Sequence, residues 1–385
     1  LTISTPPRPP RPGDPVDRDE LEAIVQSLIE EARRRARRRR LLVTAVAASV
    51  ALAGVVVFSV FDRTAQSEPA SDPRAARPSP VAGAARSQIA FTRDPAFVGQ
   101  GHKELHVMNT DGSGQRLLAR ETGLGDMAWS PDGREIAFLR EEGLYVVSAD
   151  GSGERRLARD TAGSGFDWAP DGQTIAFTRV RGGYRDVYVM NADGSRQRRL
   201  VKRGIRPRWS PDGQVVTFMS RRDGNWEVYV IDADGSGEKR LTRNPAYDAS
   251  PAWSPDGRKI GFVRNLRKPD IYVMNADGTG QRTLARNAFS LAWSPDGMKI
   301  AFIGERGGHR DAYVMNADGS GQRRLARNAF SLAWSPDGMK IAFTRSPDGQ
   351  SADIYVMNAD GSGQRRLAHD AFSLAWSPVQ ETKQR

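Results

Sequence analysis

The chain has 385 residues, a net charge of +11 and no cysteine. Disulfide frameworks, thiolate nucleophiles and cysteine-held metals are therefore excluded, and the length suits one large repeat domain with added segments. The charge is spread along the chain. It fits anionic partners such as acidic glycans, phosphates or lipid head groups, and equally a generally arginine-rich composition.

Residues 1–17 are rich in proline and polar residues and are expected to lack a folded core. Residues 18–40 read as a helix. Asp19 and Glu22 have capping-box spacing, and Leu21, Ile24, Val25, Leu28 and Ile29 form one apolar stripe. Such a helix either docks on a partner or the membrane surface, or is a solvated juxtamembrane segment.

Seven arginines follow in Arg33–Arg35 and Arg37–Arg40. A run of this kind is compatible with nucleic-acid binding, but the next segment argues against it. Leu41 to Phe61 is an uncharged stretch of 21 residues, enough to cross about 30 Å of hydrocarbon. Arginines directly before a span keep that side in the cytoplasm. The expectation is a single-pass protein of the bacterial cytoplasmic membrane, N-terminus inside and the rest outside. Ala51-Leu52-Ala53 resembles a signal-peptide cleavage site, although 21 apolar residues exceed the usual signal core. Ala45, Ser49 and Ala53 have small-xxx-small spacing, which an alanine-rich span also produces by chance. Residues 62–87, rich in Ala, Pro, Ser and Arg, read as a semi-extended linker.

From residue 88 the chain repeats. Tryptophans at 129, 168, 209, 253, 293, 334 and 376 are separated by 39, 41, 44, 40, 41 and 42 residues. Within each unit, Ser-Pro-Asp-Gly suits a type I turn, and a later Ala-Asp-Gly run supplies a second turn. Ile300 and Phe302 point one way and Ala301 the other, the period of a strand. Ile271 to Met274 is apolar on both faces, as a sheet between two other sheets requires. Each unit therefore gives four antiparallel strands: a, ending at Trp; b, Ile-Ala-Phe; c, Tyr-Val-Met-Asn; and d, which carries arginines against edge pairing. A period near 40 with this content indicates a β-propeller blade. Strand b occurs seven times, beginning at Ile89, Ile136, Ile175, Val216, Ile260, Ile300 and Ile341. The first unit lacks strand a, and the segment Phe372 to Pro378 is a strand a without successors. The predicted architecture is all-β: a seven-bladed propeller over 88–378, closed by the C-terminal strand and followed by a short tail, 379–385. Six or eight blades are the alternatives.

Trp-Ser-Pro-Asp-Gly-x-x-Ile-Ala-Phe followed by Tyr-Val-Met-Asn-Ala-Asp-Gly resembles the TolB-type, WD-like propeller repeat of bacterial envelope proteins. The resemblance covers about 88–378 and recurs in register. It implies a propeller outside the cytoplasmic membrane that binds or scaffolds. A basic tail, a span and a linker stand where the TolB pattern has an α/β domain, which sets this chain apart from a Tol-Pal role. Related propellers precede peptidase domains, and none is expected after Arg385. Others are pectate-degrading lyases that hold a metal with clustered histidines.

Repeats 272–302 and 313–343 differ only at Thr279 against Ser320 and Thr283 against Arg324, which suggests scaffold more than chemistry. Strand alternation puts the a–b and c–d turns on one face and the b–c and d–a loops on the other. Nearly all variation falls on the second face, where binding is expected to concentrate. Tyr184, Arg185, Trp226, Tyr247, His309 and Arg310 are its candidate contacts, because aromatics and arginine dominate hot spots. Asp126, Asp167, Arg208 and Asp248 lie at or beside strand a and are candidates for the channel mouth. Each of these ten residues also reads as an ordinary loop residue.

Asp232-Ala-Asp234-Gly-Ser236-Gly237 resembles the start of a calcium loop, but the twelfth position is Arg243 and not the required glutamate. His102 and His106 have His-x-x-x-His spacing, but on an extended strand the two side chains lie well apart. No metal, cofactor or catalytic residue is assigned. The expected function is a non-catalytic scaffold binding an envelope protein or anionic polymer, with the membrane met through 41–61 and no nucleic acid. A polysaccharide lyase or hydrolase at the channel mouth is the alternative.

Overall fold

The computed structural model describes residues 87–93, 103–122, 126–140, 143–161, 165–265, 267–346 and 352–378. The predicted helix over 18–40, the span over 41–61 and the linker up to residue 86 lie outside them, as does His102.

The described residues form seven four-stranded antiparallel sheets. Blade I is β28 (Ala371–Trp376), β1 (Gln88–Arg93), β2 (Lys103–Asn109) and β3 (Arg116–Thr122). Blade II follows with β4 (Met127–Trp129), β5 (Glu135–Arg140), β6 (Gly143–Ser148) and β7 (Arg155–Arg159). Blade III comprises β8 (Phe166–Trp168) through β11 (Arg198–Val201), and blade IV β12 (Ile205–Trp209) through β15 (Lys239–Arg240). Blades V, VI and VII begin at β16 (Asp248–Trp253), β20 (Ala288–Trp293) and β24 (Ala329–Trp334), and end at β19 (Arg282–Ala285), β23 (Arg323–Ala326) and β27 (Arg365–Ala368).

The C-terminal strand closes the ring as the repeat count requires. Ile89 pairs with Trp376 and Ala90 with Ala375. The Gln88 amide donates to Ser377 Oγ at 2.8 Å and the Ser377 amide to the Gln88 carbonyl at 2.8 Å. This removes the two open edges that an unclosed ring would present.

The core lies between blades. Ile271, Val273 and Leu284 of blade V pack on Ile300, Phe302 and Met315 of blade VI, and the other interfaces repeat the arrangement. Within each blade the strand b phenylalanine stacks on the ring across from it on strand c. Phe302 and Tyr313 lie 5.4 Å apart, and in blade I His106 stands in for tyrosine, 5.4 Å from Phe91. An arginine ending strand b covers the stack: Arg264 lies 4.4 Å from the Tyr272 ring and Arg345 4.7 Å from Tyr355. This cation–aromatic contact adds roughly 0.5–1 kcal/mol where exposed.

Three polar contacts join consecutive blades. In five blades a glutamine after the glycine turn donates to a leucine carbonyl one blade back, as Gln322 does to Leu284 at 2.8 Å; in blades II and IV the position is Glu154 and Glu238. Except in blade II, where Arg155 pairs with Glu135 of its own blade at 2.7 Å, the first basic residue of strand d reaches the next blade's c–d turn: Arg323 donates to the Asp360 carbonyl at 2.7 Å and Arg365 to the Asp111 carbonyl at 2.9 Å. The indole of Trp334 donates to the Ala292 carbonyl at 3.1 Å, and those of Trp129, Trp293 and Trp376 do likewise. The indole nitrogens of Trp168, Trp209 and Trp253 are buried without a partner among the described residues.

The turn chemistry is as expected. In Ser294-Pro-Asp-Gly the serine hydroxyl donates to Asp296 at 2.5 Å. Gly297 takes φ +69°, and a Cβ there would sit 3.6 Å from Pro255 of the preceding blade. A side chain at that position would be backbone-strained.

Trp334→Phe is expected to cost about 1 kcal/mol more than Trp168→Phe in urea unfolding, because only the first removes a made hydrogen bond. Ten turn aspartates, from Asp111 to Asp360, are held below the usual carboxylate range by hydroxyl and amide donors of a neighbouring Ser, Thr or backbone. With folded values depressed, their stabilisation is present above the unfolded value near about 4 and is lost as pH falls through the folded values. The urea midpoint should therefore drop between about pH 5 and about pH 3, and a midpoint flat across that window would contradict the assignment.

Candidate functional site

The b–c and d–a connections meet on one face, around the inner strands that line the channel. In blades IV to VI those inner strands are bulged. Register shifts fall between Ile205 and Arg208, Ala249 and Ala252, and Ala288 and Leu291. Arg206, Ser250 and Ser290 sit at the bulges with φ of 53°, 54° and 89°. Such values cost a non-glycine residue of order 1–3 kcal/mol and re-aim side chains. Gly165 makes room for the first of them: a Cβ on it would come within 3.3 Å of Arg206 Cα.

Two adjoining cavities follow. The first, about 660 Å³, lies among blades IV, V and VI and is lined by Arg206, Arg208, Arg267 and Arg310 with Phe289, Pro251 and Glu305. Arg310 stacks on Phe289 at 4.7 Å and lies 3.7 Å from Glu305. The second, about 680 Å³, lies between blades III and IV and is lined by Tyr184, Arg185, Arg203, Arg221 and Trp226. Arg203 stands 5.1 Å from the Tyr184 ring and Arg221 5.8 Å from Trp226. Both cavities present guanidinium groups over apolar floors, chemistry suited to carboxylates, phosphates and planar groups.

The structure sorts the ten candidates. Tyr184, Arg185 and Trp226 share one cavity and Arg208 and Arg310 the other. Tyr247 is 47% exposed beside them. His309 turns instead to a rim pocket with Arg306, Arg324 and Arg327. Asp126 is exposed just before β4. Asp167 keeps 27% of its side-chain surface and accepts from the Trp209 amide at 2.8 Å, with Arg208 3.7 Å away. Burial pushes its carboxyl up, with Arg208 opposing.

Asp248 departs from the expectation of an open channel-mouth residue. It is fully buried and grips Arg264 through two bonds of 2.7 and 2.8 Å. Nearby Glu227, also fully buried, accepts from Arg240 at 2.9 Å, Thr242 Oγ1 at 2.5 Å and the Asn244 amide at 3.0 Å. The Asp248 amide donates to the Trp226 carbonyl at 2.8 Å, so this buried network fixes the segments carrying Trp226 and Tyr247.

The contributions of Arg206 and Phe289 were not singled out from sequence. Arg206-Pro-Arg208 replaces the Ser-Leu-Ala of other inner strands, a legible signal; Phe289 belongs to a copied repeat and carried none. Among the described residues no group of three or more His, Cys, Asp or Glu side chains is placed to hold a metal. His106 is committed to Glu104 at 3.0 Å, and burial holds its pKa down.

The architecture is that of a seven-bladed propeller with an arginine-aromatic face. Residues 202–290 and 284–378 match the family model of the TolB beta propeller domain, so this part of the ring is built of TolB-type propeller repeats. TolB from Acinetobacter baumannii superposes with a TM-score of 0.53 at 20% identity, over 76% of this chain and 67% of that one. An oligogalacturonate lyase in complex with manganese gives 0.56 at 15% identity, over 71% and 90%. A puromycin-hydrolysing peptidase of Mycobacterium tuberculosis gives 0.58 at 15%, over 73% of this chain and 53% of that one. At these identities the likeness is one of fold. No curated protein sequence matches the chain.

Asp248→Ala, which would strand Arg264 in a buried setting, is expected to lower stability by about 3–5 kcal/mol. Arg310→Ala, at an exposed pair, should change it by less than about 1 kcal/mol. Equal effects of the two in denaturant unfolding would contradict the assignment of one to the frame and the other to the site.

Proposed function

We propose that this TolB-type scaffold is a non-catalytic binding module, anchored in the bacterial cytoplasmic membrane through residues 41–61 with its ring outside the cell. It captures an envelope protein or an anionic polymer on the b–c and d–a face. The observation that supports this reading is the paired cavity system, in which Arg206, Arg208 and Arg310 stand beside Tyr184, Trp226 and Phe289. Aromatic and arginine side chains held by a rigid frame are what binding hot spots are made of. A polysaccharide lyase or hydrolase at the same mouth is the second reading, favoured by one feature: the raised carboxyl of Asp167 beside Arg208.

The test is capture from envelope extract by the full-length chain and by a Tyr184→Ala/Trp226→Ala/Arg310→Ala variant. Loss of hot-spot contacts worth about 2 kcal/mol or more should cut capture by roughly thirtyfold. Undiminished capture by the variant would count against the face. Turnover of an acidic polysaccharide that stops in Asp167→Asn would replace the binding reading with the enzymatic one.

A further inference from the structure

The cavities do not account for most of the positive charge. Each strand d has a repeating set of basic positions, and the structure gives them different tasks. Outside blade II, where Arg155 pairs with Glu135, the first reaches the neighbouring blade's turn, as Arg198 does to the Ala233 carbonyl at 2.6 Å and Arg282 to the Asp318 carbonyl at 2.9 Å. In blades III, VI and VII the second pairs with a strand c aspartate: Arg199 with Asp186 at 3.5 Å, Arg324 with Asp311 at 3.4 Å and Arg366 with Asp353 at 3.2 Å.

The last position, where strand d reaches the variable face, is Arg159, Lys202, Arg243, Arg286 and Arg327 in blades II to VI. All five are exposed. Their side chains have no hydrogen-bond, ion-pair or ring partner among the described residues; only the backbone carbonyls of Arg159, Lys202 and Arg327 are used, by Arg179, Arg222 and Arg345. The pattern ends at the ring's closure. In blade I the equivalent Arg120 is tied to Glu104 at 2.7 Å, and in blade VII His369 lies 3.6 Å from Asp353.

From these observations we infer that the outer corner of blades II to VI is a track for a linear polyanion of the envelope, read through its repeating carboxylate or phosphate charges. The inference rests on the reading of the variable face as the binding face and names what that face takes. A single cation on each of five consecutive blades lays charge at a repeated interval along an arc, which matches a chain of evenly spaced anions better than one bound group. Arg206 and Arg267 lie on the same face, further in, and have no side-chain partner among the described residues. The opposite face has an aspartate in each of its seven c–d turns, from Asp111 to Asp360, which disfavours a polyanion there. Strand β1 enters the ring from that aspartate-bearing face, so the track lies on the side away from the chain's entry. Being unpaired, these cations pay no desolvation or pairing cost within the fold and are available to release counterions from a polymer.

The experiment measures anisotropy of labelled polygalacturonate, inorganic polyphosphate, poly-glutamate and neutral dextran with the full-length chain over a salt series. One variant carries Arg159→Gln, Lys202→Gln, Arg243→Gln, Arg286→Gln and Arg327→Gln. A control of equal charge change carries Arg134→Gln, Arg196→Gln, Arg258→Gln, Lys299→Gln and Lys340→Gln on the turn face. The expected result is binding of polygalacturonate, polyphosphate or both, but not of dextran, weakened by about tenfold or more with a shallower salt slope in the first variant and unchanged in the control. Whichever of the two polymers binds more tightly identifies a carboxylate or a phosphate source. Equal weakening by both variants would reduce the effect to net charge and overturn the track. So would a preference for poly-glutamate, which would point to an acidic protein. If the first variant still binds polymer while the Tyr184/Trp226/Arg310 variant loses its captured partner, the track falls and the binding role of the face stands.

Discussion

Every sheet in this molecule is apolar on both sides, and that constraint sets the architecture. A strand such as Ile271-Tyr-Val-Met cannot be covered by its own blade; it needs a blade on each side. An open row would always leave two uncovered sheets, so the row must close. Closure here uses the last strand of the chain against the first, Ile89 on Trp376, and the register there is the one found at other strand a–strand b pairs, as in Trp334 on Ile341. The ring is thereby held by the same hydrophobic burial and ladder hydrogen bonds at the seam as elsewhere.

Given that ring, the polar contacts between blades are secondary, but they show where the repeat was altered. Four tryptophans donate to an alanine carbonyl of the preceding inner strand. The three that do not, Trp168, Trp209 and Trp253, sit on successive blades. On two of these blades the residue before the tryptophan is Asp167 or Arg208 instead of alanine, and the Arg208 guanidinium reaches back to the Phe166 carbonyl. A buried donor without a partner costs about 1–3 kcal/mol. The regular bond is thus missing where charged side chains have entered the channel wall, and the bulged, positive-φ residues Arg206 and Ser250 lie on the same blades. Departures from the repeat that lower stability and coincide with a cavity are better explained by a ligand than by packing.

Legibility in the sequence followed the repeat. Blade number, strand order and turn chemistry could all be read because each was stated six or seven times, so an ambiguity in one copy was resolved by the others; closure followed from the strand missing at the start and the strand left over at the end. The Phe–Tyr–Arg stack was also present in six of the seven copies, with His106 replacing tyrosine in blade I, but it pairs positions on two strands separated by a loop of variable length, so spacing did not reveal it. The site was only partly visible. Tyr184, Trp226 and Arg310 stood out as departures from consensus in loops. Asp248 stood out for the same reason, yet it is buried, because a non-repeated carboxylate can serve a non-repeated structural pair such as that with Arg264. Phe289 was hidden by the opposite effect: it repeats a copied position, and its distinction is the cavity arginine, Arg310, that lies over it, where the equivalent Phe372 of blade I meets Lys103.

The two faces of the ring therefore differ in kind as well as in sequence variation. On the turn face the charged groups are consumed internally: Asp296 and Asp318 accept from serines two residues away, and the strand d arginines bond turn carbonyls across blades. Those bonds set the pitch between blades, which leaves little freedom to change them for a ligand's sake. On the other face, apart from the buried Asp248–Arg264 and Glu227 network of blades IV and V, the loops make few such contacts between blades, and there arginine, tyrosine and tryptophan are exposed or lie at the surface of cavities. A ring held together from one side is free to vary on the other. That is why a protein built of near-identical repeats can still carry a binding surface that is not repeated.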